Sequence, residues 1–211
     1  MRKVLFAGLV ALLIPTASLA QVQLGLRLGY GSGMGDALQF KGATESWKMS
    51  DSLQAQIPLQ LDASYKIDKD FSAGLYVAYG FASINSKVKD ECVALGGTDC
   101  DASGSTLGIG AQGFYTFNQV TGPFVPWAGL GVGYESASVK SGGETTTLSG
   151  FQVSLQVGGD YKVNEQFSVG PYLSYAMGEY TSISVPGGAS SEFDQKFHSW
   201  LGLGVLGKFN L

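Results

Sequence analysis

From Val22 to Tyr30 the apolar residues Val22, Leu24, Leu26, Leu28 and Tyr30 alternate with Gln23, Gly25, Arg27 and Gly29. A period of two sorts these sets onto opposite faces of a β-strand. The same alternation predicts strands near 22–31, 52–65, 71–82, 104–117, 124–135, 150–161, 167–178 and 196–210. In the second, Leu53, Ala55, Ile57, Leu59, Leu61, Ala63 and Tyr65 share a face opposite Gln54, Gln56, Gln60 and Asp62. In the sixth, Phe151, Val153, Leu155, Val157 and Tyr161 oppose Gln152, Ser154, Gln156, Gly158 and Asp160. Pro58, Pro126 and Pro171 fall inside predicted strands and require a bulge or a wet rim position, because proline removes a ladder donor.

The residues opposite the apolar set decide which solvent each face meets. They are mostly Gly, Ala, Ser and Gln, a poor surface for water. A soluble barrel would turn its apolar face inward; this pattern suits apolar positions facing lipid around a narrow polar interior. Lipid also demands closure, since an open sheet edge would leave backbone groups without hydrogen bonds. The expectation is all-β: an eight-stranded antiparallel up-and-down transmembrane barrel. Its interior polar candidates are Arg27, Gln54, Gln56, Gln60, Asp62, Tyr76, Gln112, Gln152, Gln156, Asp160, Tyr172 and Lys208, with Trp127 and Trp200 adding bulk. Buried charges require partners, and inward parity offers Arg27 either Asp62 or Asp160.

Connections alternate in length. Segments 66–70, 118–123 and 162–166 are short, whereas 32–51, 83–103, 136–149 and 179–195 are long and polar. Short periplasmic turns and long extracellular loops are the arrangement of outer-membrane barrels. An even strand count then puts both termini in the periplasm. Aromatics mark both rims: Tyr65, Phe71, Phe117, Phe124, Tyr161, Phe167 and Phe209 beside the short turns, and Tyr30, Tyr79, Phe81, Tyr134 and Tyr175 towards the long loops. The path from Phe71 to Tyr79 and Phe81 covers on the order of 20–25 Å at ordinary strand rise and barrel tilt, close to the apolar band of such barrels.

Residues 1–20 have the form of a cleaved signal peptide: Arg2 and Lys3, an apolar run from Val4 to Ile14, then Ser18 and Ala20 at the cleavage positions. The single mature domain is expected over 21–211. Without the leader, 11 basic residues of the chain's 13 face 17 acidic ones, a net charge of −6. That balance, without clustered Arg and Lys, gives no nucleic-acid surface. Cys92 and Cys100 are expected to form a disulfide, as export favours; a metal site would want further soft ligands. An internal echo links Tyr65-Lys66-Ile67, Phe71-Ser72 and Gly74 to Tyr161-Lys162-Val163, Phe167-Ser168 and Gly170.

Gly122-Pro123-Phe124-Val125-Pro126-Trp127-Ala128-Gly129-Leu130-Gly131-Val132-Gly133-Tyr134, Gly170-Pro171-Tyr172 through Tyr175, and the terminal alternation Leu201, Leu203, Val205, Phe209, Leu211 resemble the small eight-stranded outer-membrane barrels. That group includes outer membrane protein W, the opacity-type adhesins and the transmembrane domain of outer membrane protein A. The terminal alternation resembles the signal read by the barrel-assembly machinery, but ends in Leu211 where Phe is usual. The resemblance implies a bacterial outer-membrane address, with membrane lipid and that machinery as partners, and a small solute or extracellular ligand as a further one. It implies no single activity.

A structural or surface-interaction role is the first expectation, carried by acidic loops holding Asp36, Glu45, Asp51, Asp90, Glu91, Asp99, Asp101, Glu144, Glu179, Glu192 and Asp194. A narrow porin-like channel for small solutes is the alternative, and a lipid-modifying enzyme a third. His198, the single histidine, adjoins Ser199, but adjacent strand residues face opposite sides, so the pair forms no ready catalytic unit. No catalytic residue, cofactor or metal is expected. Gly25, Gly29 and Gly31 lack the following helix that a phosphate cradle needs.

Overall fold

The computed structural model describes residues 21–42, 44–86, 90, 93–94, 100–120, 122–185 and 193–211. Eight antiparallel strands close on themselves: β1 (Val22–Phe40), β3 (Leu53–Lys66), β4 (Phe71–Ile84), β5 (Ala102–Thr116), β6 (Phe124–Ser141), β7 (Glu144–Lys162), β8 (Phe167–Ser184) and β10 (Phe197–Asn210). Each pairs with its chain neighbour, and β1 closes the ring against β10, with Leu24 opposite Phe209. Beyond the barrel, β2 (Trp47–Lys48) and β9 (Phe193–Gln195) flank the outer extension of β1, and a single helical turn, α1 (Met49–Ser52), leads into β3.

The solvent inversion is visible residue by residue. Leu26, Leu59, Leu130, Leu155 and Leu203 are exposed on the outer wall, while Arg27, Asp62, Gln112 and Gln156 are buried within it. Both aromatic tiers stand outward, from Phe71 and Phe124 at one rim to Tyr30 and Phe81 at the other. No helix among the described residues is long and apolar enough to cross a membrane; the strands do so.

Pro58 and Pro171 are accommodated at ladder gaps, whereas Pro126 stays in register with Gly159. Pairing between β1 and β3 runs from Val22–Tyr65 to Leu28–Leu59, lapses opposite Ile57 and Pro58, and resumes at Gly31–Gln56. Between β7 and β8 it lapses beside Pro171 and resumes at Tyr161–Val169.

Three expectations are corrected. The segment 136–149 is not a long loop: β6 and β7 continue through it and meet in a two-residue turn, Gly142-Gly143, whose φ values of 58° and 81° are the left-handed pair a tight hairpin uses. The apolar alternation fades there into Ser and Thr, which hid the strand. β1 and β8 likewise run on to Phe40 and Ser184, so Asp36, Glu144 and Glu179 lie in strands; Glu91, Asp99 and Glu192 lie outside the described residues. Lastly, a register shift between Leu53 and Ala55 reverses the faces at the start of β3. Leu53 and Ala55 are buried, and Gln54, expected inside, is exposed.

Candidate functional site

The interior is built in two layers. Near the short-turn end, β1 presents Arg27 inward and β3 presents Asp62, with Arg27 Nε 2.6 Å from Asp62 Oδ2. Arg27 Nη1 also donates to Gln156 Oε1 from β7. The second carboxylate oxygen, Asp62 Oδ1, accepts from Gln60 Nε2 and Gln112 Nε2, each at 2.7 Å. Four strands thus share one hydrogen-bonded cluster. The guanidinium lies 5.3 Å from the Phe114 ring centroid and 5.5 Å from that of Tyr172, distances at which a cation is attracted to an aromatic face.

A second ion pair sits closer to the short-turn mouth. Lys208 Nζ is 2.7 Å from Asp160 Oδ2, and Trp127 Nε1 donates to Asp160 Oδ1 at 2.9 Å. Trp127 packs edge-on against Phe114 at 5.4 Å, and these rings with Tyr172 and Leu206 form a buried apolar cluster. Between Arg27 with Asp62 and Lys208 with Asp160, the cross-section is filled by paired charges and rings. Outside it, a mouth of about 700 Å³ opens among Lys66, Lys69, Lys162 and Asn210.

Near the long-loop end, Glu135 from β6 is 5% exposed. Its Oε1 accepts Tyr180 Oη at 2.8 Å and Trp200 Nε1 at 3.1 Å. His198 Nε2 approaches the same oxygen to 3.9 Å, and the imidazole stacks on Tyr180 at 4.0 Å and 9°. Leu38, Met49, Leu53 and Leu148 cap this layer with apolar surface. Beyond it, a cavity of about 270 Å³ is lined by Trp47, Met49, Val139 and Glu144. Between the two layers lies a polar cavity of about 110 Å³, bounded by Arg27, Glu135, Gln56, Gln152 and Ser174.

Of the residues nominated from sequence, Arg27, Gln60, Asp62, Gln112, Gln156, Asp160 and Lys208 meet in the lower clusters, with Tyr172 beside them. Gln56, Tyr76 and Gln152 line the middle cavity, where Gln56 accepts from Thr106 Oγ1. Only Gln54 points elsewhere. Arg27 takes Asp62, leaving Asp160 to Lys208. The sequence reading missed Glu135 and Tyr180. Their signal was inward parity, legible once β6 and β8 are carried past 135 and 178. Cys100 is buried; Cys92 lies outside the described residues. Among the described residues, no group of three or more His, Cys, Asp or Glu side chains could hold a metal ion.

The chain matches the model of the outer membrane protein beta-barrel domain over residues 6–209. It belongs to that family, and with it to the bacterial outer membrane. Among solved structures, it is similar to Neisserial surface protein A at 14% identity, with 90% of this chain and 97% of that one covered and a TM-score of 0.56. It is also similar to the outer membrane protein OprG from Pseudomonas aeruginosa at 16% identity, covering 90% and 97%, with a TM-score of 0.53. At such identities these likenesses describe the fold of an outer-membrane beta-barrel domain. No curated protein sequence matches the chain.

Proposed function

We propose that this outer-membrane barrel is a closed, non-catalytic scaffold that presents its outer end for surface interactions. The observation that carries this reading is the filled cross-section between Arg27–Asp62 and Lys208–Asp160, with a second closure at Glu135, Tyr180 and Trp200. His198 is 2% exposed within that closure, stacked on Tyr180, a poor position for reaching a lipid or peptide substrate. With the lumen occupied, the outer hairpin and loops are the surfaces left for contact.

The same reading has residues 1–20 removed as a leader, the barrel-assembly machinery inserting the chain, and both termini in the periplasm. The Gly142-Gly143 tip and a Cys92–Cys100 disulfide then face outward. An epitope inserted between Gly142 and Gly143 should be detected by antibody on intact cells, and a C-terminal tag only after permeabilisation.

Planar-bilayer recording of the refolded protein tests the closure. Silence is expected. Discrete conductance steps that disappear on bulky substitution at Gly110 or Gly131 would replace the scaffold with a solute channel.

A further inference from the structure

The outer wall changes character on four neighbouring strands. At the outer girdle, Tyr134 and Phe151 are paired across β6 and β7, their rings edge-on at 5.3 Å. One step further out, the same face carries Ser136, Ser149 and Ser182 in register. The next step carries Ser105, Ser138, Thr147 and Ser184, and a third carries Ser103, Lys140 and Thr145. Hydroxyls contact one another across the strands: Ser136 Oγ and Ser149 Oγ are 2.7 Å apart, and Ser138 Oγ and Thr147 Oγ1 are 2.9 Å apart. The intervening Ala137 and Leu148 are buried inside, so the hydroxyls belong to the outer wall.

Strands lie about 4.8 Å apart and same-face residues repeat at about 6.7 Å, so these rows make a grid of donors and acceptors. It rises roughly 15 Å above the girdle at ordinary barrel tilt. Two features select its occupant. The grid is continuous with the lipid-facing wall, so whatever covers it adjoins the acyl chains below. It also carries no carboxylate within its rows, although the outer end is otherwise acidic. Glu144 instead lines the inner cavity, Glu179 borders the grid beside Phe151, and Lys140 supplies a cation.

We propose that this grid docks the phosphorylated saccharide head group of a glycolipid in the outer leaflet. Its serines and threonines exchange hydrogen bonds with sugar hydroxyls, and Lys140 faces a phosphate. The inference rests on the outward orientation proposed above, which the epitope experiment reads separately.

The test titrates the refolded protein in zwitterionic detergent with lipopolysaccharide bearing inner-core sugars, and in parallel with phosphatidylglycerol. A quadruple variant (Ser136→Ala, Ser138→Ala, Thr147→Val, Ser149→Ala) and a separate Lys140→Glu variant should each bind the lipopolysaccharide about tenfold more weakly, the loss of one or two net hydrogen bonds or a charge contact. Phosphatidylglycerol binding should not change. Unaltered lipopolysaccharide affinity in a quadruple variant that keeps the heat-modifiable mobility of a folded barrel overturns the proposal. So does equal affinity for the deacylated saccharide alone, which would make the partner a soluble glycan, or a dimer lost in the variant, which would make it a second copy. Should the quadruple variant fail to fold, Lys140→Glu at the exposed end of β6 decides by the same readings.

Discussion

Arg27 Nε donates to Asp62 Oδ2 across 2.6 Å, with both side chains at most 5% exposed. The pair runs diagonally between strands adjacent in the wall: Arg27 is in register with Gln60 and Asp62 with Gly25, an offset of two residues on one face. Removing one partner leaves the other charge buried without compensation, which costs about 3–5 kcal/mol. Asp62→Ala is therefore expected to lower the urea unfolding midpoint of the barrel in lipid vesicles by a large margin. Replacing both, Arg27→Leu with Asp62→Leu, should cost much less than the sum of the single changes. A double-mutant cycle on tryptophan fluorescence reads that coupling, and additive losses would deny it.

Trp127 both fills the plug and donates to Asp160, and two substitutions separate these roles. Trp127→Phe keeps most of the ring volume but leaves Asp160 Oδ1 without its 2.9 Å donor; the expected loss is about 1–2 kcal/mol. Trp127→Ala also removes the contact with Phe114 and should cost about 3–5 kcal/mol. Neither variant should pass ions in planar bilayers, because the second closure at Glu135, Tyr180 and Trp200 still bars the lumen.

The eight strands and their inward parity were legible because lipid imposes period-two alternation wherever the wall crosses the apolar layer. That pressure stops at the outer girdle. Beyond Tyr134 the outward residues become Ser136 and Ser138, and polarity alone cannot separate a strand from a loop, so the β6–β7 hairpin was hidden. Parity failed at Gln54 for a related reason: a register shift is a backbone event with no residue signature in Leu53-Gln54-Ala55. The choice of Asp62 over Asp160 for Arg27 required the β1–β3 register, which alternation along a single strand does not supply. Glu135 was missed because its strand was ended at that residue.

Gly170 sits where β7 and β8 approach beside the Pro171 gap, and an added Cβ would overlap the carbonyl oxygen of Gly159. Backbone cannot swing aside as a long side chain can, so Gly170→Ala is expected to destabilise by about 1–3 kcal/mol. Gly108→Ala is the control, since its nearest neighbour would be Gln152 Nε2 at 3.7 Å. Comparable unfolding midpoints for the two variants would remove close approach as the reason for glycine at 170.

The two turns joined by the sequence echo are built alike, and they differ in one titratable atom. Asp68 Oδ1 accepts the backbone N–H groups of Asp70 and Phe71 at 2.8 and 2.7 Å; Asn164 Oδ1 accepts those of Gln166 and Phe167 at 2.9 and 2.7 Å. The N–H of Asp70, and then that of Phe71, hold the Asp68 carboxyl below its ordinary value, because both donate to the charged form. A carboxyl whose folded pKa is depressed contributes stability that is fully present above its unfolded value, near 4, and is lost as pH falls through the lower folded value. Asp68→Asn should preserve the turn, as Asn164 does, and remove this part of the acid sensitivity. Urea midpoints measured in micelles from pH 7 to pH 2 should therefore converge between the original protein and Asp68→Asn as the solution is acidified, the original starting higher. Asp68→Ala should lie below the original at pH 7, having lost both acceptor contacts. Parallel acid limbs for Asp68 and Asp68→Asn would mean that the carboxylate charge adds nothing to the turn beyond what a neutral amide oxygen supplies.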